Sequence, residues 1–374
     1  MGMSEMERIL LTASVIAMGA GGAFAGGIDR SGQSVAVIFE DGNYAEFSLG
    51  SVSPSVSGQA VAIPAPGLNS AISGDMAASY AQFSGAIKYK FSDTLDGALI
   101  FDQPFGANVD YPAGTAYYAT GSTATLKTTA ITGVLQYTMP SNVSVYGGLR
   151  YETMSAEASI PFVAGYTATG SKDGALGYLV GIAYEKPEIA LRVALTYNSK
   201  IKHEIDTSEA SLLGPLNTVT EVNSPESVNL EFQSGVAKDT LVFGSIRWVD
   251  WSNFDISPTQ YGALTGGGSL VSYDHDTISY SIGVGRKFNE HWSAALTLGY
   301  EKQDGGIASN LGPTDGYKSI GLGATYTQDN MKISAGVRYV DIGDAQVQLG
   351  PVSPSANFTD NHAVGFGMRV GFSF

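Results

Sequence analysis

From residue 363 to the end of the chain, apolar and small or polar residues alternate without a break. Val364, Phe366, Met368, Val370, Phe372 and Phe374 fall on one face; Ala363, Gly365, Gly367, Arg369, Gly371 and Ser373 fall on the other. Period-2 patterning of this length dictates a β-strand with one apolar face and one small or polar face. The pattern returns along the chain. Ile278, Tyr280, Ile282 and Val284 oppose Ser279, Ser281, Gly283 and Gly285, and Met331, Ile333, Ala335, Val337 and Tyr339 oppose Lys332, Ser334, Gly336 and Arg338. Trp292 to Tyr300 and Ile189 to Tyr197 alternate in the same way. Beyond the N-terminus no run approaches the ~18 consecutive apolar residues of a membrane helix, so a helical membrane protein is excluded.

A soluble sandwich also alternates, and three details separate it from a barrel in lipid. The apolar faces end in aromatics (Phe288, Trp292, Tyr300, Tyr326, Tyr339), as where a lipid-facing band meets its interfacial girdle. The opposite faces carry Gly, Ser and Thr with isolated charges, where a sandwich would present Lys and Glu to water. Charged residues are only 15% of the chain and glycine reaches 47, far from an ordinary soluble composition. Finally, short turns such as Asp329-Asn330 alternate with long Gly/Pro/Asp-rich connections such as residues 304–316. That asymmetry belongs to an outer-membrane barrel.

Fourteen candidate strands follow, the first at 43–53 and the last at 361–374, an even number as a bacterial single-chain barrel requires. Among them are spans 188–203, 222–237 and 240–256. In the last, Phe243 and Trp251 are out of register with Ile246 and Trp248, which predicts a bulge. Residues 1–25 read as a secretory signal: Arg8, an apolar stretch from Ile9 to Ala20, and the small-x-small site Ala23-Phe24-Ala25. Residues 26–42 lack clean alternation and carry Asp29, Arg30, Glu40 and Asp41 around an apolar centre, so they read as a small plug in the lumen. The expected fold is all-β: a 14-stranded antiparallel transmembrane barrel over residues 43–374 with a small N-terminal plug.

With 20 Lys+Arg against 35 Asp+Glu there is no basic footprint for a nucleic-acid partner. With no cysteine there is no thiolate metal site, nucleophile or disulfide framework. The histidines (His203, His275, His291, His362) are scattered without metal-ligand spacing. Asp274-His275-Asp276 reads as a solvated loop, and Gly266-Gly267-Gly268 as a flexible one. No enzyme, metal or cofactor is expected.

Four segments carry a resemblance to a known family. They are residues 197–203 (YNSKIKH), 224–230 (SPESVNL), 247–252 (RWVDWS) and the ending 361–374. In these the chain resembles FadL/TodX-type outer-membrane transporters of long-chain fatty acids and other hydrophobic compounds. The resemblance implies a 14-stranded barrel in a Gram-negative outer membrane, closed by an N-terminal hatch, with a break in the third strand that releases substrate sideways into the membrane. Two departures stand out. The family's Asn-Pro-Ala near the end of the hatch is absent, with Glu40-Asp41-Gly42 about there, and the long outer loops look shortened to residues 156–172 and 205–221.

A fatty acid presents a long apolar tail and one carboxylate, so its site needs an apolar cleft and a cation or amide donors. The apolar candidates are Phe162, Val163 and Tyr166 in the fifth-to-sixth connection and Leu212, Leu213 and Leu216 in the seventh-to-eighth. Their alternative role is packing the loops over the barrel mouth. Of the polar-face cations Arg150, Arg192, Arg338 and Arg369, Arg150 is the choice because it precedes the apolar loop; the alternative is pairing with Asp29, Glu40 or Glu152. The gate candidates are Pro104, Phe105 and Gly106. Proline cannot donate to the ladder and glycine weakens a strand, so pairing should fail there, unless the strand simply ends at Phe101. The rival function is a general porin for small polar solutes, which would have no plug. Expected partners are a long-chain fatty acid or other hydrophobic small molecule, outer-membrane lipid, and the barrel-insertion machinery through terminal Phe374.

Overall fold

The computed structural model of the chain describes residues 28–61, 69–350 and 352–374; the predicted signal segment lies outside the described residues. Fourteen strands form the wall. They are β1 (Tyr44–Ser55), β2 (Tyr80–Lys90), β3 (Leu95–Asp102, resuming at Gly106–Asp110), β4 (Thr123–Thr138) and β5 (Val143–Ile160). Next come β6 (Tyr166–Lys186), β7 (Leu191–Asn198 and Ile201–Ser211), β8 (Gly214–Ser224 and Ser227–Ala237) and β9 (Thr240–Val249). The circuit ends with β10 (Thr277–Lys287), β11 (Trp292–Glu301), β12 (Tyr317–Gln328), β13 (Met331–Ile342) and β14 (Asn361–Ser373). Each pairs antiparallel with its sequence neighbours, and β14 returns to β1 from Tyr44↔Ser373 to Ser55↔His362. The sheet closes on itself and so has no free edge strand, as a barrel in hydrocarbon requires.

Alternation sorts side chains as the pattern dictates. On β14 the residues Val364, Phe366, Met368 and Phe372 are exposed outward, while Ala363 and its small neighbours face in. The outward faces end in aromatic contacts: the Trp292 and Tyr326 rings lie 5.1 Å apart and Tyr280 stacks on Tyr300. Short turns and the C-terminus share one end, the periplasmic one by the barrel rule. At the other end, long connections pack a lid over the mouth. It includes a small sheet from Gly58–Ala60, Ile307–Ala308, Ala345–Leu349 and Val352–Phe358, and the short helix α1 (Thr259–Thr265). The glycine triplet ends this helix, with Gly266 at φ +72° in the left-handed cap position.

Two expectations are corrected. The connections 156–172 and 205–221 are largely strand. β5, β6, β7 and β8 run on into tight hairpins above the membrane. There the outward face changes from apolar to charged (Lys202, Glu204, Asp206), so the lipid-facing pattern stops while the strands continue. Lys202 sits 2.8 Å from Glu221 and 3.1 Å from Glu204, and these hydrogen bonds hold its ammonium above the ordinary lysine pKa. The second correction is β9, which pairs with β10 in unbroken register from Thr240 to Val249 and with β8 from Leu241 to Val249. The register shift lies on the β8 side, between Gly235 and Ala237, and not between Phe243 and Ile246. Phe243 breaks register because it points inward onto Gly283, and Trp251 lies past the strand end, fully buried.

Residues 28–42 cross the interior. Val35, Val37 and Ile38 are buried against Tyr44, Ala98, Ile100 and Leu179 around one 3₁₀ turn, Ala36–Phe39. Burial of such side chains contributes roughly 1.5–3 kcal/mol each, so apolar packing anchors this segment as much as charge does. Charge fixes its two ends. Asp29 Oδ2 accepts from Arg247 Nε at 2.6 Å, and Glu40 pairs with Lys332 at 3.1 Å. Lys88 also donates to the Glu40 carbonyl and pairs with Asp96 at 3.0 Å. Arg247 further donates to Ser227, Asn229 and Gln33, which ties the N-terminal segment to the far wall.

Candidate functional site

The ladder between β2 and β3 stops at Gly85↔Phe101. Above it, β3 breaks after Asp102 and turns inward: Pro104, Phe105 and Gly106 are all buried. β3 keeps its pairing to β4 on both sides of the break, from Asp102↔Ala130 below to Gly106↔Lys127 above. Thr128 Oγ1 takes over the missing rungs, accepting from Phe105 N at 2.8 Å and donating to Phe105 O at 2.7 Å. On the other side β3 abandons β2 and takes the N-terminal segment as partner. Arg30 N donates to Pro104 O at 2.8 Å and Gly106 N to Ile28 O at 2.9 Å. Higher still, β3 pairs with the segment before β2, through Ala77↔Val109.

A window therefore interrupts the wall between residues 79–84 and 102–107. Its cross-links are side chains: Gln103 Oε1 accepts from Phe83 N at 2.9 Å, and Gln82 Nε2 donates to Arg30 O at 2.8 Å. Phe83 and Phe101 face outward below it, and above Phe101 and Ile131 the outward positions become Gln103, Thr129 and Lys127. The window thus lies where the apolar band gives way to polar residues, at the headgroup level.

Behind the window lies a cavity lined by Arg30, Met76, Tyr80, Gly106 and Asn108 among others. It shares Ile28, Ala107, Val109, Tyr273 and Leu311 with a second, strongly apolar cavity under the outer lid. Ile205, Val222, Phe254, Ile256 and Leu270 complete that wall. Of its lining residues, Phe254 and Tyr273 pack on Trp251, which in turn is edge-on to Phe105 at 5.8 Å.

A second ladder interruption differs. Between β6 and β7 pairing stops at Leu179↔Asn198 and resumes at Gly170↔Thr207. Buried side chains fill it. His203 sits between Asp173 at 2.9 Å and Glu152 at 3.4 Å, Ser224 bonds Glu152, and Ile201 and Ile205 lie against Gly177 and Gly170.

The predicted site residues separate into groups. Pro104, Phe105 and Gly106 come together at the break in β3. Tyr166 is fully buried, donating to Glu209 at 2.9 Å; Phe162 packs on Tyr118 at 5.6 Å, and partly buried Val163 joins the same cluster. Leu212 (86%) and Leu213 (65%) project into solvent at the β7–β8 tip, with Leu216 beside them. None of these apolar candidates lines the apolar cavity. Arg150 is buried low on β5, donating to Thr132 at 3.0 Å and Asn198 at 3.2 Å. The strand from Arg150 to Ile160 is roughly 33 Å long, so Arg150 is remote from the hairpin tip. Nor does it pair with Asp29, which belongs to Arg247, a residue the sequence reading quoted only in a motif. Of the other cations, Arg369 pairs with Glu46 at 3.5 Å and Arg192 lies over the Phe39 ring.

The cavity residues were missed, although a signal existed. Phe254, Ile256 and Leu270 make the 250–276 connection too apolar for a solvated loop.

Solved structures share this architecture at low identity. A Pseudomonas aeruginosa FadL homologue matches with TM-score 0.74 and 13% identity, covering 96% of each chain. The P. putida toluene transporter TodX matches at 0.66 and 13%, covering 91% of this chain and 92% of that one. The Ralstonia pickettii toluene transporter TbuX matches at 0.63 and 14%, covering 96% and 97%. No curated protein sequence matches this one. The family model for outer membrane protein transport proteins (OMPP1/FadL/TodX) matches residues 51–374. This chain therefore belongs to the FadL/TodX family, whose members are hydrophobic-compound transporters of the Gram-negative outer membrane and not enzymes.

Proposed function

We propose that this protein admits long-chain fatty acids and related hydrophobic molecules passively and releases them sideways through the β2–β3 window into the membrane. The observation that carries this reading is the pair of adjoining cavities, the second of which lies directly behind a gap in the wall. An apolar molecule in the first has a short apolar route, past Ile28, Val109 and Leu311, to the gap at headgroup level. No step needs energy input, since the solute moves from water into hydrocarbon. Leu212, Leu213 and Leu216 at the exposed hairpin tip would make first contact with substrate. Residues 28–42 would keep the lumen shut to ions and polar solutes, which speaks against a general porin. Relatives named for toluene transport and for the FadL family support hydrophobic cargo.

The test is uptake of labelled oleate and labelled toluene by cells with and without the protein. Oleate uptake that depends on the protein is the expected result. Uptake of neither, with conductance like an open porin in planar bilayers, would overturn the reading.

A further inference from the structure

Arg30 occupies the window. Its backbone is pinned to both rims, donating to Pro104 O at 2.8 Å and accepting from Gln82 at 2.8 Å. Its guanidinium lies 3.8 Å over the Tyr80 ring on the β2 side and against Gly106 on the β3 side, where a Cβ would meet Arg30 Cζ at 2.7 Å. A larger residue at 106 would displace it. Its side chain makes one hydrogen bond, Nη2 to Asn108 Oδ1 at 3.1 Å, and no ion pair among the described residues. Three other cations of the lumen do hold carboxylates: Arg247 holds Asp29, Lys332 holds Glu40 and Lys88 holds Asp96.

A guanidinium offers five donors in a fork that matches a carboxylate bidentately. Held in the cavity behind the window, between Asn108 and an aromatic face, it leaves most of that capacity unused, and an incoming carboxylate would use it. We propose that Arg30 is the headgroup anchor of the exit route, binding the carboxylate of an amphipathic acid as its tail leaves through the window. The level fits, because the window opens where the outward residues change from Phe101 and Ile131 to Gln103 and Lys127. Arg30 thereby gives the channel a preference for acids over neutral molecules of the same shape. This inference rests on the exit reading above.

The experiment compares uptake of labelled oleate with that of labelled oleyl alcohol, which has the same tail and an uncharged head. Cells carry the full-length protein, Arg30→Gln or Arg30→Lys, with folding checked by heat-modifiability on gels. Loss of a charged hydrogen bond predicts that the oleate-to-alcohol uptake ratio falls on the order of tenfold in Arg30→Gln. Arg30→Lys keeps the charge and should recover part of the ratio. An unchanged ratio in folded Arg30→Gln overturns the anchor. If Gly106→Phe meanwhile blocks both substrates, the channel reading stands without it. If neither substrate enters through the parent protein, the channel reading falls and the anchor with it.

Discussion

Arg247 is the clasp that holds the N-terminal segment across the lumen. Its guanidinium reaches Asp29 at 2.6 Å, with the two side chains only 10% and 12% exposed, and adds bonds to Asn229 at 2.7 Å and Gln33 at 3.2 Å. Arg247→Met keeps much of the volume and strands the Asp29 carboxylate. Removing one partner of a buried pair costs about 3–5 kcal/mol, which is roughly two to three and a half orders of magnitude in the equilibrium between seated and displaced segments. The segment retains its Glu40–Lys332 end and its Val35–Val37–Ile38 packing, so the outcome should be intermittent release. Single-channel recording in planar bilayers should show openings in Arg247→Met that the parent lacks. Adding Asp29→Asn removes the stranded charge and should suppress part of them. A silent Arg247→Met channel, or a double variant no quieter than the single, refutes this reasoning.

If residues 28–42 plug the lumen as proposed, deleting them altogether should yield a continuous conductor of ions in the same bilayers. Leu212→Ser with Leu213→Ser should raise the substrate concentration needed for half-maximal uptake several-fold with little change in the maximal rate, because these side chains sit at the outer tip and not along the route. Terminal Phe374, exposed beyond β14 and bonded through its backbone N to Asn43 O at 3.0 Å, is our choice for the assembly signal. Its deletion should lower the yield of heat-modifiable barrel in the outer membrane.

The wall was legible in the sequence because alternation is a local property. Each strand in lipid must show apolar and small faces in turn, so Val364 to Phe372 or Ile278 to Val284 declares itself without reference to any partner. The break in β3 was legible for a similar reason, since Pro104 withdraws a donor wherever it stands. Strand ends above the membrane were not. At Lys202 and Glu204 the period is unchanged and only the polarity of the outward face reverses, which reads locally as a loop. The lumen was the least legible part. Asp29 and Arg247 are far apart in sequence, and nothing local tells an inward arginine which carboxylate will face it; hence Arg150 was favoured although its partners are Thr132 and Asn198. Trp251 and Phe254 looked like a continuation of β9 because aromatic residues suit a strand as well as a buried cluster.

The central claim is sideways release through the β2–β3 window, and Gly106→Phe tests it most directly. A Cβ at this position would already lie 2.7 Å from the Arg30 guanidinium, so a phenyl ring must take its place between β3 and Tyr80 and fill the gap. Toluene, which has no charge for Arg30 to hold, isolates the window from the anchor. The account predicts that cells with folded, membrane-inserted Gly106→Phe protein take up neither labelled toluene nor labelled oleate above the level of cells lacking the protein. Parental uptake of both by the folded variant would contradict it.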